Sequence, residues 1–292
     1  MQLKAKKCIH LNILTMKHTI YKLPRLIVLG LIIASVSLFS GCNTTSKKKD
    51  ADAETPPPLD PDKDVIKELS GYPVPNSYEV TKLIYNAGAR YNLHISNGPE
   101  KAGDYITQRD KVLNLGVYAA DLCYATTYMM KQGTINYLEA SKILIDDLGI
   151  STTFNINYAE RIEDNIDNRD SLISIVSESF DDTWTYMVEN KQDVMARLVV
   201  CGSWIEGVYL TTKVAAEADD NTAFLEALAR QKSSIDQLVI LLDPVKNAEE
   251  VKDIYVALSD IKNVFDGVGE ILNDEQLQSI SEKINVLRSS IV

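Results

Sequence analysis

The chain has 292 residues, of which 45% are hydrophobic, 24% charged and 7% aromatic, with a formal net charge of −11. An acidic balance of this kind excludes a nucleic-acid binder, because phosphate recognition rests on clustered Lys and Arg. Four cysteines in 292 residues exclude a disulfide scaffold, and 45% hydrophobic residues suffice for a sizeable core.

Lys17, Lys22 and Arg25 precede an apolar run from Leu26 to Phe39, and the run closes on Ser40, Gly41 and Cys42. A charged head, a short apolar stretch and small residues before a cut form a secretory signal. A run of 14 residues falls short of the roughly 20 that a membrane-spanning helix needs. Residues 38–42, Leu-Phe-Ser-Gly-Cys, resemble the lipobox of bacterial lipoproteins. The resemblance implies that residues 1–41 are removed and that Cys42 becomes the lipid attachment point, carrying palmitate-type acyl chains that hold the protein on the outer membrane. It implies a cell-envelope location, periplasmic or surface-exposed, for a lipid-anchored protein. More than one acyl chain makes such anchoring stable, at about 0.8 kcal/mol per buried CH₂. Met16 gives a compact signal, whereas Met1 gives a long head, so Met16 is a candidate start.

Residues 1–41 contain six basic residues and no acids, so the chain from Cys42 onward has a net charge of −17. Residues 42–63 run through Lys47 to Lys49, Asp50, Asp52, Glu54 and Pro56 to Pro58. A polar, Pro-rich segment of this composition buries no core and reads as a disordered tether. Residues 64–292 then form one domain, with no Pro/Gly/Ser-rich break after residue 76.

The apolar spacing of that domain is helical throughout, which predicts an all-α fold. Helices are expected over Asp64–Leu69, Ser77–Tyr91, Gly103–Lys131, Thr134–Leu148, Tyr158–Asn165, Asp170–Asn190, Asp193–Ala218, Ala223–Leu242, Ala248–Phe265 and Asp274–Ile291. Asn76 and Asn273 are placed as N-caps, Gly149 as a C-terminal stop, and Asp243-Pro244 as a break. In Asp170–Asn190, Leu172, Val176, Phe180, Trp184 and Val188 predict one buried stripe. Arg197 to Leu210 ("RLVVCGSWIEGVYL") and Leu115 to Tyr128 ("LGVYAADLCYATTY") are apolar nearly all round and predict two central helices in a multi-helix bundle. Gly116, Gly202 and Gly207 each cost about 1 kcal/mol against alanine inside a helix, which close helix approach would offset. The pattern of residues 104–217, with "GVYAADLCYATTY" as its most distinctive piece, resembles the all-helical domains of exported lipoproteins of uncharacterised function, and this carries no site residues across.

Asp121 and Glu206 are lone carboxylates in otherwise apolar helices. A buried charge must be paired, protonated or wet. One reading is a polar pocket between the two central helices, lined by Asp121, Glu206, Tyr118, Tyr124 and Tyr209, that binds a small cationic or polar ligand. The other is an internal hydrogen-bond network closed by Arg109, Arg169 or Arg197, or simple exposure of the acids at the edge of the bundle. Cys123 and Cys201 are either joined or simply two buried apolar side chains.

No catalytic constellation is expected. Asp60, Asp62 and Asp64 begin like a calcium loop, but Val65 and Gly71 stand where that loop needs Gly and an acid. His94 is the one histidine after Cys42, too few for a zinc site or a Ser-His-Asp triad. The pairs Asp146-Asp147, Asp181-Asp182 and Asp219-Asp220 are adjacent in sequence and do not face across a cleft as a glycosidase requires. The sequence therefore implies no metal and no cofactor. It predicts an interaction or accessory domain with an envelope protein as partner, or else a ligand-binding lipoprotein.

Overall fold

A computed structural model describes residues 77–150 and 156–292. The signal segment 1–41, Cys42, the tether 42–63, the expected helix Asp64–Leu69 and the cap Asn76 lie outside the described residues, which all fall in one compact unit, Pro56–Val292.

Among the described residues the fold is all-helical, as the 3.6-residue periodicity predicts. The α-helices are α1 (Ser77–Asn86), α2 (Gln108–Thr127), α3 (Lys131–Asp147), α4 (Ile156–Asp164), α5 (Arg169–Glu189), α6 (Asp193–Glu217), α7 (Thr222–Leu242), α8 (Lys252–Asp266) and α9 (Asp274–Ser289). Short 3₁₀ turns occur at Leu93–Ile95, Pro99–Asp104 and Asp243–Val245.

The two central helices are α2 and α6, and their mutual contact is the most extensive in the fold. Around them, α1, α3 and α5 cover α2, while α7 and α9 cover α6 and are joined by α8. Helix α6 is long and apolar enough to cross a membrane by length and composition, but its apolar window is 83% buried inside the bundle. It is the hydrophobic centre of a folded domain, buried on every side.

Close approach does account for two of the three glycines expected in the central helices. A Cβ on Gly116 would land on the Val199 carbonyl oxygen, and one on Gly202 would land on the Leu113 carbonyl oxygen. Gly207 differs. A Cβ there would meet only the Val80 side chain, at 3.9 Å, an ordinary contact.

Several boundaries move for identifiable reasons. Helix α1 stops at Asn86 rather than running to Tyr91, because the chain turns at Gly88 with φ +81°, a conformation glycine adopts without penalty. Helix α2 begins at Gln108 rather than Gly103, because the Thr107 hydroxyl accepts the Asp110 amide as an N-cap. It ends at Thr127 before Met129, which has φ +56°. Gly149 (φ +73°) ends α3 as expected, and Asn273 forms a capping box with Gln276 at the head of α9.

The stripe expected on α5 is corrected in register. The buried face is Leu172, Ile175, Val176, Ser179, Thr183 and Met187, while Phe180, Trp184 and Val188 are half-buried at its edge. A strict spacing of four advances about 40° further than one turn at every step, since a helix repeats every 3.6 residues. Residues that start on the core side therefore rotate off it.

Candidate functional site

Tyr118, Asp121 and Tyr124 of helix α2 and Tyr128, its C-cap residue, follow at spacings of three, three and four, which places all four on one helix face. The segment before α2, residues 89–98, crosses this face in the opposite direction. Each polar head on α2 takes one backbone group of that strap. The Tyr128 hydroxyl donates to the Ala89 carbonyl at 2.8 Å, and the Asn92 amide donates to the Tyr124 hydroxyl at 3.0 Å. The Asn97 amide donates to Asp121 Oδ2 at 3.0 Å, and the Tyr118 hydroxyl donates to the Gly98 carbonyl at 2.9 Å. Beyond the single 3₁₀ turn at Leu93–Ile95 the strap has no helical ladder of its own, so these side chains take backbone groups that it does not pair itself.

Asn97 anchors the strap a second time. Its side-chain amide donates to the Tyr105 hydroxyl at 2.9 Å and to Asn114 Oδ1 at 3.4 Å. Asn114, buried on α2, in turn donates to the carbonyl of Ile291 at the end of the chain. The strap, the central helix and the C-terminal segment thus share one polar network.

Glu206 enters from α6 and is paired with Arg288 of α9. Arg288 Nε donates to Oε2 at 2.6 Å and Nη2 to Oε1 at 2.9 Å, a two-pronged pair. The same Nη2 reaches the Ile95 carbonyl at 3.4 Å, and the guanidinium lies over the Tyr209 ring at 4.0 Å. The planar fork of arginine matches a carboxylate and stacks on an aromatic ring at once.

Asp121 and Glu206 are both 0% exposed. Burial drives the Asp121 carboxyl well above the usual range, and the neighbouring Glu206 charge pushes the same way; Arg288, the Asn97 amide and Ser96 pull it down less strongly. Burial also raises Glu206, against the pull of Arg288 and of a hydrogen bond with Asp121. Arg288 stays charged, its desolvation outweighed by Glu206. The tyrosines around them, Tyr118, Tyr124 and Tyr209 included, are raised chiefly by burial and stay protonated.

All five residues expected to line a pocket are therefore brought to one place, between α2, α6 and α9. The strap's own backbone occupies the side chains of Tyr118, Asp121 and Tyr124, and Arg288 occupies Glu206. The cation of the network is Arg288, and none of the three arginines expected for it. Arg109 pairs with Asp253 at 2.6 Å, Arg169 lies near Asp170 and over the Tyr85 ring, and Arg197 donates to the Leu241 carbonyl. The strap, Asn97 and Asn114 also went unread in the sequence. The available signal was the spacing of polar heads at 118, 121, 124 and 128 in an apolar helix. His94 is exposed on the strap, and Cys123 and Cys201 are buried free thiols.

An open cleft lies beyond the strap, between residues 87–92 and the C-terminal end of α6. It has a volume of about 730 Å³ and is lined by Tyr91, Asn92, Val214, Glu217, Asp219 and Phe224 among others. Asn92 Nδ2 donates to both Glu217 oxygens at 3.3 Å on its rim. The chain matches no family model, no curated protein and no solved structure.

Proposed function

We propose that the chain is a lipoprotein anchored to the outer membrane through acyl chains on Cys42, and that its helical domain is an interaction or accessory module for an envelope protein. The observation that supports this over ligand binding at the acid pair is the occupancy of that pair. Asp121 and Glu206 are sealed from solvent, Asp121 Oδ2 is taken by the strap and both Glu206 oxygens by Arg288, so the polar groups between the central helices serve the fold. Anchoring follows from the lipobox resemblance at residues 38–42 and from the physics of multiple acyl chains. The net charge of −17 after Cys42 favours a partner with a basic or neutral contact face.

The test is cross-linking in intact cells followed by pulldown of the anchored protein, with Cys42→Ala as control. A stoichiometric partner that disappears with Cys42→Ala supports the reading. Abundant, anchored protein with no partner overturns it.

The cleft beside residues 87–92 favours a second reading, a ligand-binding lipoprotein whose ligand is cationic or polar. Its size lies within the range of small-molecule sites. Thermal shift against a panel of amines, comparing wild type with Glu217→Gln, separates the two readings.

A further inference from the structure

Two carboxyl groups, both fully buried, share one guanidinium that is itself only partly exposed. Glu206 takes both the Nε and the Nη2 of Arg288. Asp121 forms no ion pair among the described residues; its Oδ2 accepts the Asn97 amide, and its buried Oδ1 meets no hydrogen-bond donor. A bare carboxylate oxygen in such a place costs the full desolvation penalty. With both acids ionised the cluster carries a net −1; with one proton it is neutral. Glu206 already has the guanidinium on both of its oxygens and Asp121 has no cation of its own, so the proton belongs on Asp121.

We propose that the strap is a proton-operated latch: a neutral Asp121 carboxyl donates from Oδ1 to Glu206 while its Oδ2 receives the Asn97 amide, and loss of this single proton to solvent releases residues 92–98 from α2. Deprotonation leaves two facing anions that share one cation, and opening the strap admits the water that the second charge needs. Asn97 is the lever, because it is tied at once to Asp121, Tyr105 and Asn114.

The other groups facing Asp121 leave it as the titrating site. They are Glu206 and Tyr209 from α6, Arg288 from α9, Tyr137 from α3, Tyr91 from the strap, and Tyr118 and Tyr124 from α2 itself. The tyrosines stay neutral and Arg288 stays charged over the accessible range. Asp121 is the carboxyl with no cation of its own.

The test is hydrogen exchange on the full chain from about pH 5 to about pH 8, corrected for intrinsic exchange chemistry. One linked proton raises the opening constant by up to about tenfold per pH unit between the open-state and closed-state ionisations. The expected result is a steady loss of protection at residues 92–98 in wild type, with the amides of α6 unaffected. Asp121→Asn keeps both hydrogen bonds without a titrating proton, and its strap protection should not change with pH. Flat protection in wild type, or the same slope in Asp121→Asn, overturns the latch. Infrared spectroscopy tests it on the wild type alone. A protonated-carboxyl stretch should persist at neutral pH and disappear on unfolding, and its absence from the folded protein would overturn the proposal even if Asp121→Asn failed to fold.

Discussion

Gly116 of α2 and Gly202 of α6 each sit where the backbone of the other helix passes. A Cβ on Gly116 would fall on the Val199 carbonyl oxygen and lie 2.7 Å from the Ser203 nitrogen; one on Gly202 would fall on the Leu113 carbonyl oxygen, with its carbon 2.9 Å away. These obstacles are main chain, which cannot rotate aside. The two central helices are therefore as close as their backbones allow, and this fixes the distance between Asp121 on one and Glu206 on the other.

Gly116→Ala and Gly202→Ala should each destabilise the domain by about 1–3 kcal/mol or more, the cost of overpacking a filled core. Gly207→Ala should instead stabilise it by about 0.5–1 kcal/mol, since its Cβ has room and alanine is the better helix former. Urea midpoints for the three variants check this. A stable Gly116→Ala protein would contradict the close approach.

Removing one partner of the Glu206–Arg288 pair should cost about 3–5 kcal/mol, because the other charge is left buried and alone. Arg288→Met should be the most damaging single change at the site. The double variant Glu206→Leu/Arg288→Met should recover much of the loss, and a double-mutant cycle in denaturant measures it. Additive losses would mean that the two side chains do not interact.

The pH dependence has a defined sign. Asp121 is raised in the folded state, chiefly by burial, so the stability it contributes is fully present below the ordinary carboxylate value near 3.9. That contribution falls as pH rises toward the folded-state value. Asp121→Asn removes the slope, so the variant should gain on wild type between about pH 5 and about pH 8 and show little advantage near pH 4. Urea midpoints across this range decide the point; a widening deficit for the variant at high pH would be the wrong sign.

Each tyrosine that holds the strap should contribute separately. Tyr118→Phe, Tyr124→Phe and Tyr128→Phe remove the bonds to Gly98, Asn92 and Ala89 in turn, at about 0.5–1.5 kcal/mol each. Urea midpoints check this, and a variant as stable as wild type would show that its hydroxyl does not hold the strap.

The two thiols should resist modification until the domain unfolds. Burial pushes Cys123 up to about 12 and Cys201 higher still, so the reactive thiolate is scarce at neutral pH. A thiol reagent should label both at the rate of unfolding; rapid labelling of the native protein would place them at the surface.

Periodicity alone determined that the described residues, 77–150 and 156–292, are mainly helical and that the segments around 115–128 and 197–210 are central, because burial on every side leaves a helix with no polar face. Local chemistry also set the ends at Gly149 and Asn273, where a positive φ and a capping box are properties of a few adjacent residues. The sequence singled out Asp121 and Glu206 for the same reason that makes them costly, a charge among apolar neighbours. Only the tertiary structure decided what satisfies them. Arg288 lies 82 residues from Glu206 in the chain and Asn97 lies 24 from Asp121, distances over which no helical period carries information. The strap has no repeat to read, since its backbone is satisfied by side chains of other elements. Whether the acids open onto a cavity or close onto the chain itself is thus a matter of how α2, α6 and α9 pack, a relation that exists only once the helices are in place.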